Sequence, residues 1–165
     1  MDQSIASLSP EQAQHALMTF YDLLPDAFWE SGKKPSAAKL KFTAEKLQED
    51  ATEDVRPVVN GLLAEGSEEG KGEVAKVVLG MFYDQGSLRG YVEQAIEQAK
   101  KPHLAPIPLI IGAVIVILAA VPEEIKKDAD GSWRAKWPSR EKLMNGLANF
   151  VSKLPAASLK ALIGG

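Results

Sequence analysis

The stretch LAPIPLIIGAVIVILAAV, residues 104–121, runs for eighteen residues without a charged or hydrogen-bonding side chain. Elsewhere the chain is richly charged, so the reading of this stretch decides the architecture. An apolar run of about eighteen residues reaches the usual threshold for a membrane span, whereas one of about ten to fourteen is more often a core helix. Pro106 and Pro108 stand near its start, which leaves residues 109–121, thirteen in all, as uninterrupted helix. At about 1.5 Å per residue those residues reach roughly 20 Å, short of a hydrocarbon core of about 30 Å. With the proline-containing part also helical, the length rises to about 27 Å, enough with local thinning of the bilayer. Insertion is favourable in energy, since the run holds eleven Leu, Ile and Val residues at roughly −0.3 to −0.6 kcal/mol each. A helix apolar on all sides is equally what full burial in a protein core requires. The residues that would insert are Leu109, Ile110, Ile111, Val114, Ile115, Val116, Ile117, Leu118 and Val121. The same residues would form the centre of a core helix. The β-branched VIVI of residues 114–117 also suits a buried strand, but one strand without partners would be orphaned.

Outward from this run, charge divides the chain. Residues 1–132 carry thirteen Lys and Arg against twenty-one Asp and Glu, a net of −8, and residues 133–165 carry six against one, a net of +5. An acidic body, an apolar run and a basic tail therefore follow one another. Such a tail suits an anionic surface or pairing with the acidic body itself. The 165 residues contain no cysteine, which removes disulfides, thiolate metal sites and cysteine nucleophiles and fits a reducing compartment. The first residues, MDQSIASLSPEQAQ, have neither the basic region nor the apolar core of a secretory signal.

Residues 1–101 read as an acidic bundle of about five short helices. Ser9, Pro10 and Gln12 form a capping box with proline in the first turn, followed by a helix over residues 10–24 with Ala13, Leu17, Phe20, Tyr21 and Leu24 on one face. Pro25 breaks it, and Phe28 and Trp29 are expected to pack over the core from a connection that ends at Gly32. Ser36 caps a helix to about residue 49, with Ala38, Phe42, Ala44 or Glu45, and Leu47 as its rhythm. A helix over residues 53–64 tolerates Pro57 in its first turn. Gly66 and Ser67 then stop one helix and start the next over residues 68–84. Gly86 and Ser87 do the same before a helix over residues 88–100. The segments VVNGLLAEGS, residues 58–67, and VVLGMFYDQGS, residues 77–87, resemble each other and read as two helix ends, each with a glycine at a close helix crossing.

Residues 102–121 are the proline-rich lead-in and the apolar helix, and residues 122–138 a loop or short hairpin around Asp130 and Gly131. Residues 139–165 form a basic amphipathic tail. In it Ser139 caps a helix bearing Leu143, Leu147, Phe150, Val151 and Leu154, and Pro155 separates a final turn or two.

Motifs for chemistry are few. His15 and His103 lack metal-ligand spacing, and His15 reads as a helix-surface residue. GSEEGKGE, residues 66–73, has the glycines and lysine of a phosphate loop, but its spacing is one residue short and Gly72 replaces the magnesium ligand. It reads as helix stop plus flexible turn. Asp128, Asp130 and Gly131 begin like a calcium loop and then depart from it, so a turn is expected. Paired carboxylates such as Glu68 and Glu69 read as partners of helix dipoles. The terminal Gly164 and Gly165 read as a frayed end, not a ubiquitin-like tail. Trp133, Arg134, Lys136 and Trp137 form a basic-aromatic cluster suited to lipid headgroups, with Lys153 and Lys160 extending the cationic surface.

The expectation is an all-α protein, non-enzymatic and without a cofactor. Its leading reading is association with the cytoplasmic membrane through anionic lipid, with insertion or permeabilisation by residues 104–121. The competing reading is a soluble scaffold or interaction subunit whose apolar segment is buried in its own core or in a protein interface. A protein partner and oligomerisation fit either, and nucleic acid is not expected.

Overall fold

The structure, a computed structural model, describes residues 2–29, 32–64, 68–102, 107–108, 110–120, 127–131 and 140–163. Among them the chain is helical: α1 (Gln3–Ala6), α2 (Pro10–Leu23), a 3-10 turn (Asp26–Phe28), α3 (Ala37–Asp50), α4 (Arg56–Leu63), α5 (Glu68–Tyr83), α6 (Arg89–Ala99), α7 (Ile111–Ala119), α8 (Arg140–Lys153) and α9 (Ala156–Ile163). The capping box before α2 is formed, the Ser9 side chain accepting from Gln12 N–H while the Gln12 side chain accepts from Ser9 N–H. Ser36 caps α3 by accepting from Lys39 N–H at 3.2 Å. At α6 the position before the helix belongs to Leu88, which supplies no side-chain cap.

α2 packs on α5 and α6, and α7 runs between α2, α3, α4, α5 and α8. α9 returns across α4 and α5. Phe20 meets Phe82 at 4.8 Å between ring centres, and Phe28 and Trp29 are fully buried, Trp29 edge-on to Tyr21 at 5.6 Å. The Tyr21 hydroxyl donates to the Pro35 carbonyl at 2.9 Å, and its burial raises the phenol's pKa to about 12, with the neighbouring Asp22 charge adding to the shift.

Successive helices are joined end to end by a repeated device. The C-terminal carbonyls of a helix are left without helical partners and carry the negative end of its dipole. Lys34, ahead of α3, donates to Asp22 O at the end of α2 at 2.7 Å. Arg56, the first residue of α4, donates to Ala51 O after α3 at 2.7 Å. Lys71, in the first turns of α5, donates to Ala64 O after α4 at 2.6 Å. Arg89, the first residue of α6, donates to Tyr83 O at the end of α5 at 2.9 Å. Each cation thus seals the helix before its own.

Three expectations are corrected. The buried face of α3 is Leu40, Ala44 and Leu47, while Phe42 is 59% exposed. Phe42 lies two positions from both Leu40 and Ala44, a half-turn away, and cannot share their face. Of the stretch 66–73 read as helix stop plus flexible turn, residues 68–73 lie in α5, as the helix read over residues 68–84 has it, and Gly70, Lys71 and Gly72 are buried there. A Cβ at Gly70 would lie 2.5 Å from Leu162 Cα and one at Gly72 would lie 2.3 Å from Pro10 Cα, so these glycines let α9 and the start of α2 approach backbone to backbone. His15 is half-buried rather than on the open surface, its Nε2 3.9 Å from Glu11.

Candidate functional site

The apolar run forms α7, nine residues or about 14 Å long at 1.5 Å per residue. It is shorter than expected because Ile111 N–H first closes a turn on the Pro108 carbonyl at 3.0 Å, and the helix begins only there. No helix among the described residues is long and apolar enough to cross a membrane. Every residue from 111 to 120 is buried, and none of the Ile, Val, Leu and Ala side chains there is more than 4% exposed. Of the residues expected to insert, Ile111, Val114, Ile115, Val116, Ile117 and Leu118 are thus core, and Ile110 is half-buried against them. Leu109 and Val121 lie outside the described residues.

Close backbone contacts clamp both ends of α7. A Cβ at Gly112 would lie 2.1 Å from the Leu62 carbonyl oxygen, and one at Gly146 of α8 would lie 2.2 Å from the Ala120 carbonyl oxygen. The first turn of α7 therefore rests on the last turn of α4, the positive end of one helix dipole on the negative end of another.

Beside this contact lies a groove of about 1200 Å³. Leu62, Leu63, Ile107, Ile110 and Ile111 provide its apolar surface, and α3 contributes Lys41, Glu45 and Gln48 from one side. Gln48 donates to Asn60 Oδ1 at 2.7 Å across the α3 and α4 side of the groove. Glu11 and Glu68, both exposed, stand on its α2 and α5 side. Gln14 also lines it and is fully buried, donating through Nε2 to Glu68 O at 3.0 Å and Pro10 O at 3.3 Å. Its Oε1 accepts no hydrogen bond. Lys71, 6% exposed, has its ammonium committed to Ala64 O.

This groove was not read from the sequence. Its walls come from α2, α3, α4, α5 and α7, and the only signal for Gln14 was a polar residue between the apolar positions Ala13 and Leu17 of α2. Of the residues expected to meet an anionic surface, Lys153 and Lys160 are exposed on α8 and α9, and Trp133, Arg134, Lys136 and Trp137 lie outside the described residues. The hairpin expected within residues 122–138 falls largely outside them too. Residues 128–131 form a turn, with Gly131 N–H donating to Asp128 O at 2.9 Å and Gly131 at φ +91°. Among the described residues no group of three or more His, Asp or Glu is placed to hold a metal ion. Comparison of the chain with known protein families, with curated proteins and with solved structures finds no match.

Proposed function

We propose that this is a non-enzymatic interaction protein whose apolar segment is its own structural core and whose work is done by the surface around that core. The observation that carries the reading is the burial of all of residues 111–120 by the amphipathic helices around them. A segment held on every side by its own chain has its apolar surface already removed from water, so it gains little by entering lipid. The groove supports a binding role over catalysis, because Lys71 is engaged with the Ala64 carbonyl after α4 and the Gln14 amide nitrogen with the Pro10 and Glu68 carbonyls at the starts of α2 and α5, instead of both converging on one point. The absence of cysteine fits action in the cytoplasm.

Val116→Asp tests this. A carboxylate at the centre of α7, where Val116 is 0% exposed, costs on the order of several kcal/mol, a large part of the roughly 5 to 15 kcal/mol that holds a domain together. The expected result is loss of the cooperative urea transition of the whole chain, read by circular dichroism. A variant that keeps residues 1–101 cooperatively folded, together with wild type that partitions onto anionic vesicles, would return the apolar segment to the membrane.

A further inference from the structure

We propose that the groove beside α7 is the docking site for a basic amphipathic segment of a partner protein, an inference that rests on the interaction reading above. The charged groups of the lining set what the groove can bind. Lys71 is buried and its ammonium is bound to Ala64 O. Lys41 is the other cation among the described residues of the lining, exposed beside Glu45 on α3, and Lys71 keeps its positive charge within its hydrogen bond. Against these two charges stand three exposed carboxylates, Glu11, Glu45 and Glu68. The groove therefore presents acceptors around an apolar floor, and its complement is a ligand rich in N–H donors and positive charge.

Size and surroundings narrow the class further. The volume of about 1200 Å³ exceeds the roughly 300 to 1,000 Å³ usual for small-molecule pockets, which favours a polymer segment over a metabolite. Phe42, 59% exposed, shares a face of α3 with the groove residues Ala38 and Glu45 through its four- and three-residue spacing from them. Its ring already carries the Lys46 ammonium 5.4 Å from its centre, the geometry by which an aromatic face holds a cation. A helical segment with leucine-like anchors for the floor and lysine or arginine for the rim would use all of these features. The chain's net charge of −3 and the three rim carboxylates favour a cationic ligand, whereas an anionic lipid surface would meet the same carboxylates with repulsion.

The test uses the full chain and a fluorescein-labelled amphipathic peptide of leucine and lysine, with the same peptide carrying glutamate for lysine as control, read by anisotropy. The lysine peptide is expected to bind, more weakly as salt rises, and the glutamate peptide not to bind. Glu11→Lys with Glu45→Lys should weaken binding by roughly tenfold, and Phe42→Ala by several-fold. All three positions are exposed, so unchanged urea midpoints separate a lost site from a lost fold. Equal binding by wild type and the double variant overturns the proposal. So does preference for phosphatidylserine vesicles over the peptide. Either of these results, obtained with Val116→Asp still unfolding the whole chain, removes the docking site while leaving the core reading of α7 in place.

Discussion

Tyr21 shows how a single side chain reports the packing around it. Its phenol is buried against Trp29, and burial raises its pKa to about 12 from the ordinary value of 10.0. Below pH 10 both folded and unfolded chains keep the proton, so the group contributes no pH dependence. Between pH 10 and 12 the unfolded chain ionises while the folded one still holds the proton, and stability falls as pH rises. Urea unfolding across that range should show the decline in wild type and a smaller one in Tyr21→Phe, which has no phenol to titrate there. Lys71 carries a lesson about legibility at the same scale. In the sequence it stands among glycines and resembles a phosphate-loop lysine in type, yet its ammonium closes the end of α4. Residue type gave its charge, but which carbonyl lay in front of it depended on how α5 is placed against the end of α4.

At the scale of elements, the two similar segments beginning VVNG and VVLG give a direct comparison. Gly61, in the first, meets Leu162 of α9 with 2.9 Å between a notional Cβ and Leu162 Cγ, a true helix crossing. Gly80, in the second, has nothing within 4 Å. Only one of the two glycines is therefore needed for space. Gly80→Ala, inside the long helix α5, should stabilise by about 0.5 to 1 kcal/mol through backbone entropy and helix propensity. Gly112→Ala should destabilise by more than about 2 kcal/mol, because its Cβ would meet a backbone carbonyl that can move only with α4. Thermal melts of the two variants, moving in opposite directions, check both. Helix identity and helix starts were legible in the sequence, since capping serines and prolines act locally, as at Ser9 and Ser36. The closing of helix ends was not, because the cations that close α2 to α5 come from the segment after each helix and not from its last turn.

Across the whole molecule, the tail is tied to the body by packing. Leu162 of α9 is 3% exposed and lies against Gly61 and Gly70, and α8 meets α7 and α3. Leu162→Ala should cost about 2 to 4 kcal/mol and lower the midpoint of one cooperative transition. A separate early melt of α8 and α9, seen by hydrogen exchange, would instead mark the tail as an independent unit. The sequence by itself determined that the chain is helical, where most helices start, and which face of α8 is apolar, because these follow from spacing and capping within a few residues. It also determined that residues 104–121 must avoid water. It left open what would exclude the water, since transfer to lipid and transfer to a protein interior are both favourable for the same side chains. Only the tertiary structure decided that, by surrounding α7 with the amphipathic faces of other helices and bringing Gly112 and Gly146 into backbone contact at its two ends. Those contacts join residues far apart in the chain, and their energy belongs to the assembled packing instead of to any one segment.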